Sequence, residues 1–215
     1  MKSELLKRSI SSIFLMSLIF LSALINEYIF LSILFIVVIL SWIEWVKVIE
    51  KIRFKKIYRT IHIILFLIYL LMAFIVCFNV FIIDKYFFLT ILMICVFSDI
   101  GGYVFGKIIG GKKLTKISPN KTISGSVGSF IMSLVLVPFF YFISKDKLIN
   151  VYEIIILTAL VCLFCQLGDL IISFLKRKAK VKDTSNILPG HGGFLDRFDG
   201  FLLAMPIGYL VYSIL

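Results

Sequence analysis

Long apolar runs constrain the fold of this chain more than any other feature. Stretches of about 18 or more apolar residues recur, and about 20 such residues in a helix cross the hydrocarbon core of a bilayer. Hydrophobic residues make up 61% of the chain, and the mean hydropathy is +1.09. A soluble domain is roughly half apolar. The sequence therefore predicts an all-α polytopic membrane protein.

Seven apolar runs are candidates for membrane spans. They cover roughly residues 9–25, 28–46, 60–78, 86–106, 123–143, 151–172 and 199–215. We expect the first to be a retained span rather than a cleaved signal peptide, and Pro206 to kink the last. Because 215 residues correspond to one domain, residues 1–215 are predicted to form a single integral-membrane domain. N-terminal spans occupy residues 1–98 and polar motifs occupy residues 99–199.

The positions of the basic residues predict the orientation of these spans. All but three of the 23 lysines and arginines lie in alternate polar segments, namely residues 1–8, 47–59, 107–122 and 173–198. The three exceptions are Lys85, Lys145 and Lys147. Cytoplasmic loops of membrane proteins are enriched in Lys and Arg. We therefore expect a multi-pass protein of the cell inner (plasma) membrane with a cytoplasmic N-terminus.

The net charge of +11 is compatible with nucleic acid or anionic lipid as a partner. The charges lie in short loops between apolar runs and lack an aromatic platform for bases, so we predict a lipid bilayer partner and no nucleic acid. The basic segment 47–59 is either a topology determinant or a means of recruiting an anionic lipid. The four cysteines all lie in apolar runs, which argues against disulfides.

One long polar segment, residues 173–199, stands out in this apolar chain. It contains six basic residues, three carboxylates, one of the two histidines and a Pro-Gly-His-Gly-Gly turn. The basic residues are Lys176, Arg177, Lys178, Lys180, Lys182 and Arg197, and the carboxylates are Asp183, Asp196 and Asp199. This density of opposite charges exceeds what a connecting loop requires.

A second polar region comprises the segment Asp99–Lys107 and the segment Ser118–Gly125. A carboxylate inside a membrane span is costly, so Asp99 is a functional-site candidate. Glycines recur every four residues at Gly102, Gly106 and Gly110, and on a helix they form a smooth stripe that lets another helix approach closely.

Helical spacing groups several polar side chains at predicted helix ends. Asp169, Ser173 and Lys176 are spaced i, i+4, i+7 and share a face, which Gln166 joins. Asp196 and Asp199 share a face if the last helix begins near them. Carboxylates from two helix ends suit Mg²⁺. The alternative for Asp169 is an ion pair with Lys176 or Arg177, and for Asp183 a solvated loop position.

Both regions resemble the phosphatidate cytidylyltransferases. The family pattern Ser-x-x-Lys-Arg, Lys-Asp, Pro-x-His-Gly-Gly-x-x-Asp-Arg-x-Asp falls on Ser173, Lys176, Arg177, Lys182, Asp183, Pro189, His191, Gly192, Gly193, Asp196, Arg197 and Asp199. The stretches Asp-x-Gly-Ala-Tyr and Ser-Pro-x-Lys-Thr-x-x-Gly fall on the second region, with departures at Ile100 and Ser124. The resemblance covers roughly residues 99–199.

The resemblance implies that phosphatidate attacks the α-phosphorus of CTP and that pyrophosphate leaves. The nucleophile is a phosphate monoester that is largely dianionic at neutral pH, so the obstacle is charge repulsion rather than proton removal. We accordingly rank His191 as an orienting or substrate-contacting residue above a general base. Asp169 and Asp196 match positions taken as Mg²⁺ ligands, Asp199 is a further candidate ligand, and a second metal ion is left open.

The candidate residues fall into two groups. The catalytic candidates are Asp169, Lys176, Arg177, His191, Asp196, Arg197 and Asp199. The substrate-binding candidates are Asp99, Ser118, Pro119, Lys121, Thr122, Ser173, Lys182, Asp183, Gly192 and Gly193. The expected partners are CTP, phosphatidate and the bilayer, the expected site faces the cytoplasm, and a homodimer is left open. The alternatives are transfer to another lipid phosphate and a cation-binding transporter.

Overall fold

The structure, a computed structural model, describes residues 18–115, 117–143, 150–185, 187 and 192–214. Seven helices are numbered here: α1 (Glu27–Glu50), α2 (Lys56–Ile83), α3 (Lys85–Ile108), α4 (Ile123–Leu134), α5 (Val137–Ile143), α6 (Val151–Lys178) and α7 (Leu195–Ile214). Residues 18–25 are also helical. Within the described ranges there is no β-strand, and an isolated bridge joins Lys113 to Thr122. The prediction of an all-α fold is confirmed.

Five helical stretches are long and apolar enough to cross a membrane. They are Glu27–Lys51, Lys56–Ile83, Lys85–Ile108, Ile123–Phe142 and Val151–Lys178. They correspond to the second to sixth predicted spans. Most of the first predicted span lies outside the described residues, and α7 forms over the last one without being among the five.

The fifth predicted span contains a break. Helix α4 ends at Leu134 and α5 begins at Val137, with a turn between them. Pro138 has no backbone N–H to donate to the carbonyl four residues earlier, that of Leu134 itself. The interruption therefore follows from the position of the proline.

The chain divides into two compact units. Unit 1 consists of Met1–Phe78 and Leu175–Phe198, and unit 2 consists of Asn79–Phe174 and Asp199–Leu215. The boundaries fall within helices α2, α6 and α7, so each of these helices contributes residues to both units.

The core of unit 1 is built on α1 and the first part of α2. Trp45 stacks on Phe66 with ring centroids 3.9 Å apart, and its indole N–H donates to the carbonyl of His62 at 3.3 Å. Phe30 and Leu70 are almost completely buried. Glu44, a polar residue of α1 described below, is also buried.

Helices α3 and α4 of unit 2 pack closely through their glycines. A Cβ on Gly125 would lie 2.7 Å from the carbonyl oxygen of Gly102 and 3.3 Å from the Cα of Gly106. The Ser129 hydroxyl donates to the carbonyl of Ser98 at 2.7 Å. The predicted role of Gly102 and Gly106 in close helix approach is confirmed, because a Cβ on these residues would lie 2.9 Å from Ser129 Oγ and 3.1 Å from Thr122 Oγ1.

Gly110 does not belong to the stripe that the sequence predicted. Helix α3 ends at Ile108, and Gly110 follows it with a φ of +63° and no atom within 4 Å of a Cβ placed there. Glycine is favoured at this position because the turn is left-handed, and not because another helix packs against it. The expected absence of disulfides agrees with the structure, in which all four cysteines are free and buried.

Candidate active site

The clearest polar cluster of unit 1 pairs the end of α6 with the start of α7. Lys176 lies in the last turn of α6 and Asp196 in the first turn of α7. Their Nζ and Oδ1 atoms are 2.6 Å apart, and only 11% and 4% of the two side chains are exposed. Each charge also lies at the helix end whose dipole favours it. Two predicted catalytic residues thus form a nearly buried ion pair.

The second carboxylate oxygen of Asp196 is held by neutral donors. Oδ2 lies 2.8 Å from the Thr184 backbone nitrogen, 2.9 Å from the Thr184 hydroxyl and 2.9 Å from the Gly193 nitrogen. Burial raises the pKa of the Asp196 carboxyl, but the charge and hydrogen bond of Lys176 and the two backbone N–H groups together bring that pKa below its usual value. The Asp196 side chain is therefore ionised at neutral pH, and these hydrogen bonds set its orientation.

Gly192, shortly before α7, is required by the small space beside this carboxylate. Gly192 has a φ of +82°, and a Cβ there would lie 2.6 Å from Asp196 Oδ2 and 2.8 Å from Asp183 Cβ. Gly193, one of the predicted substrate-binding residues, donates its N–H to Asp196.

Glu44 is a part of this cluster that the sequence analysis missed. It lies in α1, is 0% exposed, and accepts hydrogen bonds from the residues that flank the Pro-Gly-His-Gly-Gly motif. The signal was available, because Glu44 is a carboxylate inside the apolar run 28–46, as Asp99 is inside its own run.

In unit 2 the predicted residue Asp169 forms an ion pair with Lys121. The hydroxyl of Ser173, one helical turn away, donates to Asp169 Oδ1 at 3.2 Å, as the spacing predicted. The alternative prediction, an ion pair of Asp169 with Lys176 or Arg177, is wrong, because the cation that pairs with Asp169 is Lys121 in the loop before α4. About 31% of the Asp169 side chain is exposed, so this carboxylate remains accessible.

Two backbone hydrogen bonds hold Lys121 in the loop before α4. The Leu114 N–H donates to the Lys121 carbonyl at 2.8 Å, and the Lys121 N–H donates to the Ser118 carbonyl at 3.0 Å. Thr122 is the N-cap of α4, and its hydroxyl oxygen accepts from the Gly125 N–H at 3.0 Å. Ser124, a departure from the family pattern, donates to the Gly110 carbonyl at 2.5 Å.

Gln166, which the sequence placed on the same face as Asp169, contacts α4. Its side-chain oxygen accepts from the Ser126 hydroxyl at 2.5 Å, so it ties α6 to α4 inside unit 2. Asp199, also in unit 2, accepts from the Gly200 N–H at 2.8 Å.

The remaining candidates differ in their exposure. Exposed positions are occupied by Asp99, Pro119, Arg177, Lys182 and Asp183. Exposure of Asp183 agrees with the solvated loop position left open above. Ser118 and Arg197 are partly buried. His191 and Pro189 lie outside the described residues.

The donor chemistry is compatible with a hard divalent cation. In the part of the chain that the structure describes, no group of three or more His, Cys, Asp or Glu side chains is arranged to hold a metal. Mg²⁺ is usually bound through one or two carboxylates together with water and substrate phosphate, so such a cluster is not required. Asp169 is the more accessible candidate, whereas both oxygens of Asp196 already have partners.

Comparison with known proteins identifies the family. The profile of the cytidylyltransferase family matches residues 54–215, which reaches well beyond the residues 99–199 of the sequence resemblance. The phosphatidate cytidylyltransferase of Bacillus subtilis (strain 168) is 42% identical over 146 residues, which cover 64% of this chain and 54% of that protein. The corresponding proteins of Staphylococcus haemolyticus and Staphylococcus aureus (strain COL) are 46% and 47% identical over 111 and 112 residues, covering 51% of this chain and 42% of each relative.

The aligned segment thus spans about half the length of the curated relatives that it matches. The profile, by contrast, covers most of this chain, including Lys121, Asp169, Lys176 and Asp196 but not Glu44. The chain therefore belongs to the cytidylyltransferase family.

Proposed function

We propose that the protein transfers CMP from CTP to phosphatidate, giving CDP-diacylglycerol and pyrophosphate. The observation that carries this proposal is the family match over residues 54–215, together with relatives that share the name phosphatidate cytidylyltransferase. The five membrane-length helices agree with a lipid substrate.

The main task of the site in this reaction is to bring two anions together. The phosphate monoester of the lipid is largely dianionic at neutral pH and needs no strong base. Lysines that are oriented in advance lower the repulsion between the phosphates and position them for in-line attack. Lys176 and Lys121 fit this role, because each is oriented by an aspartate in its own unit.

The proposed metal is Mg²⁺, with Asp169, Asp196 and Asp199 as the candidate ligands. The support comes from the family resemblance, in which Asp169 and Asp196 match positions taken as Mg²⁺ ligands and Asp199 ends the motif, and from the preference of Mg²⁺ for carboxylate oxygen. When bound, the cation neutralises phosphate charge. Asp169 contributes an accessible carboxylate, and Ser173 fixes its orientation by donating to Oδ1.

The proposed topology has seven spans, a cytoplasmic N-terminus and a site that faces the cytoplasm, where CTP is available. It rests on the distribution of Lys and Arg, of which only three lie in the predicted external segments. Labelling of single cysteines introduced at Lys182 and at Lys85 with a membrane-impermeant reagent tests it. In intact cells we expect reaction at position 85 only, and reaction at 182 would overturn the proposed orientation.

The activity itself can be tested with purified protein, labelled CTP, phosphatidate and Mg²⁺. We expect a CDP-lipid, its loss with EDTA, and its loss in Asp196→Ala. Glu27→Gln, an exposed change in α1, is the matched control and should retain activity. A panel of competing lipid phosphates distinguishes phosphatidate from another acceptor. Cation flux in proteoliposomes without CTP consumption would contradict the proposal.

A further inference from the structure

Glu44 is a fully buried carboxylate, and among the described residues its hydrogen-bond partners lie in one distant segment. Its Oε1 accepts from the Ser185 hydroxyl at 2.7 Å and from the Phe194 N–H at 3.0 Å. Its Oε2 lies 2.8 Å from the Thr184 hydroxyl and 2.9 Å from the Leu195 nitrogen. These four partners belong to unit 1, as Glu44 does.

These four contacts fall at the two ends of the segment 184–195. Thr184 and Ser185 are at its beginning, and Phe194 and Leu195 are at its end. The Pro-Gly-His-Gly-Gly motif lies between them in the sequence. A single side chain on α1 therefore connects both ends of the segment that carries the motif.

Glu44 also completes the N-terminus of α7. The first N–H groups of a helix have no partner within the helix, and a negative charge there interacts favourably with the helix dipole. The Leu195 N–H belongs to the first residue of α7 and the Phe194 N–H precedes it. Glu44 caps α7 from another helix, whereas Asp196 provides the acidic residue within its first turn.

Thr184 links Glu44 to Asp196. Its hydroxyl oxygen is 2.8 Å from Glu44 Oε2 and 2.9 Å from Asp196 Oδ2, so its single proton serves one carboxylate at a time. Its backbone N–H donates to the same Asp196 oxygen. Gly193 leaves room for these two side chains, because a Cβ there would collide with Glu44 and Thr184. The position of Glu44 is thus transmitted to Asp196 through one residue.

We propose that Glu44 is a positioning residue, which fixes the ends of the segment 184–195 and thereby the orientation of the Asp196 carboxylate. Both Glu44 oxygens are occupied by protein donors, so it acts through Thr184 and not by contact with substrate. Its effect on turnover rests on the proposed function, whereas its effect on the segment does not.

Hydrogen exchange and kinetics of Glu44→Gln test the proposal together. A glutamine has one acceptor oxygen and an NH₂ group, so one of the backbone N–H groups of Phe194 and Leu195 loses its partner. We expect peptides that contain residues 193–196 to exchange their amide hydrogens at least about tenfold faster. We expect kcat to fall by about tenfold or more while the KM for CTP changes less than about threefold. Glu50→Gln, an exposed change on the same helix, is the control.

Thr184→Val and Ser185→Ala form a matched pair of variants. They test the proposal even if the Glu44→Gln variant does not fold. Each removes one hydroxyl donor to Glu44, but only Thr184 also contacts Asp196. We therefore expect a clearly larger loss of kcat in Thr184→Val. Equal losses in the two variants, or unchanged exchange and turnover in Glu44→Gln, would overturn the positioning role.

The two proposals fail in different ways. If the wild-type protein makes no CDP-lipid, the proposed function fails, while the exchange experiment still decides whether Glu44 holds the segment. If the wild type is active and Glu44→Gln exchanges faster but turns over normally, the positioning role fails and the function stands.

Discussion

Replacing Lys176 with methionine should strongly destabilise the protein, because it leaves the Asp196 carboxylate without its cation. The ion pair is 2.6 Å long, and the two side chains are 11% and 4% exposed. Removing one partner of a buried pair costs about 3–5 kcal/mol, since the remaining charge is uncompensated. The contacts of Thr184 and Gly193 to Asp196 persist, so we expect a loss near the lower end, about 3 kcal/mol in the free energy of unfolding.

Thermal unfolding in detergent, followed by circular dichroism, measures this loss. For a chain of about 200 residues, 1 kcal/mol corresponds to about 2–4 °C, so Tm should fall by about 6–12 °C. Lys176→Met with Asp196→Asn removes both charges and should recover at least half of the loss. Lys182→Met, at an exposed position, should change the free energy by less than about 0.5 kcal/mol.

The argument fails if Lys176→Met lies within about 1 kcal/mol of the wild type. It also fails if the double variant is as unstable as the sum of the two single variants. Either result would mean that water reaches Asp196 and compensates the charge that Lys176 leaves behind.

Three further predictions follow from the packing and the charges. Gly125→Ala places a methyl group 2.7 Å from the Gly102 carbonyl oxygen, and the cost of overpacking, about 1–3 kcal/mol, should outweigh the helix-propensity gain of about 1 kcal/mol. Gly106→Ala, whose nearest neighbour is a side-chain hydroxyl at 3.1 Å, should destabilise less, and the reverse order in thermal unfolding would contradict the packing argument. Because the folded-state pKa of Asp196 is lowered, its stabilising contribution is complete above the ordinary carboxyl pKa and is lost as pH falls through the lowered value. The Tm difference between wild type and Asp196→Asn should therefore be constant between about pH 6 and 8 and shrink only in strong acid. Lys121→Met, at a pair about one-third exposed, should cost less than about 1 kcal/mol yet lower CTP turnover at least about tenfold, and unchanged turnover would remove Lys121 from the site.

The helices and most of the motif positions could be predicted from the sequence. Runs of apolar residues determine helices locally, and five of the seven predicted spans appear as membrane-length helices. The spacing of Asp169 and Ser173 predicted their contact, since residues four apart meet on one helix face. The glycine stripe was predicted correctly at Gly102 and Gly106, but not at Gly110, because the sequence did not reveal that α3 ends before it.

The partners of the charged residues were decided only by the tertiary structure. Lys121 and Asp169 are far apart in the chain, and Glu44 is 140 to 151 residues from the groups that it holds. Local periodicity shows which face of a helix a side chain occupies, but not which helix or loop packs against that face. By itself the sequence determined where the helices form and which residues carry charge. Packing decided which carboxylate meets which donor, because the cost of burying a charge is met only by groups that the fold brings together.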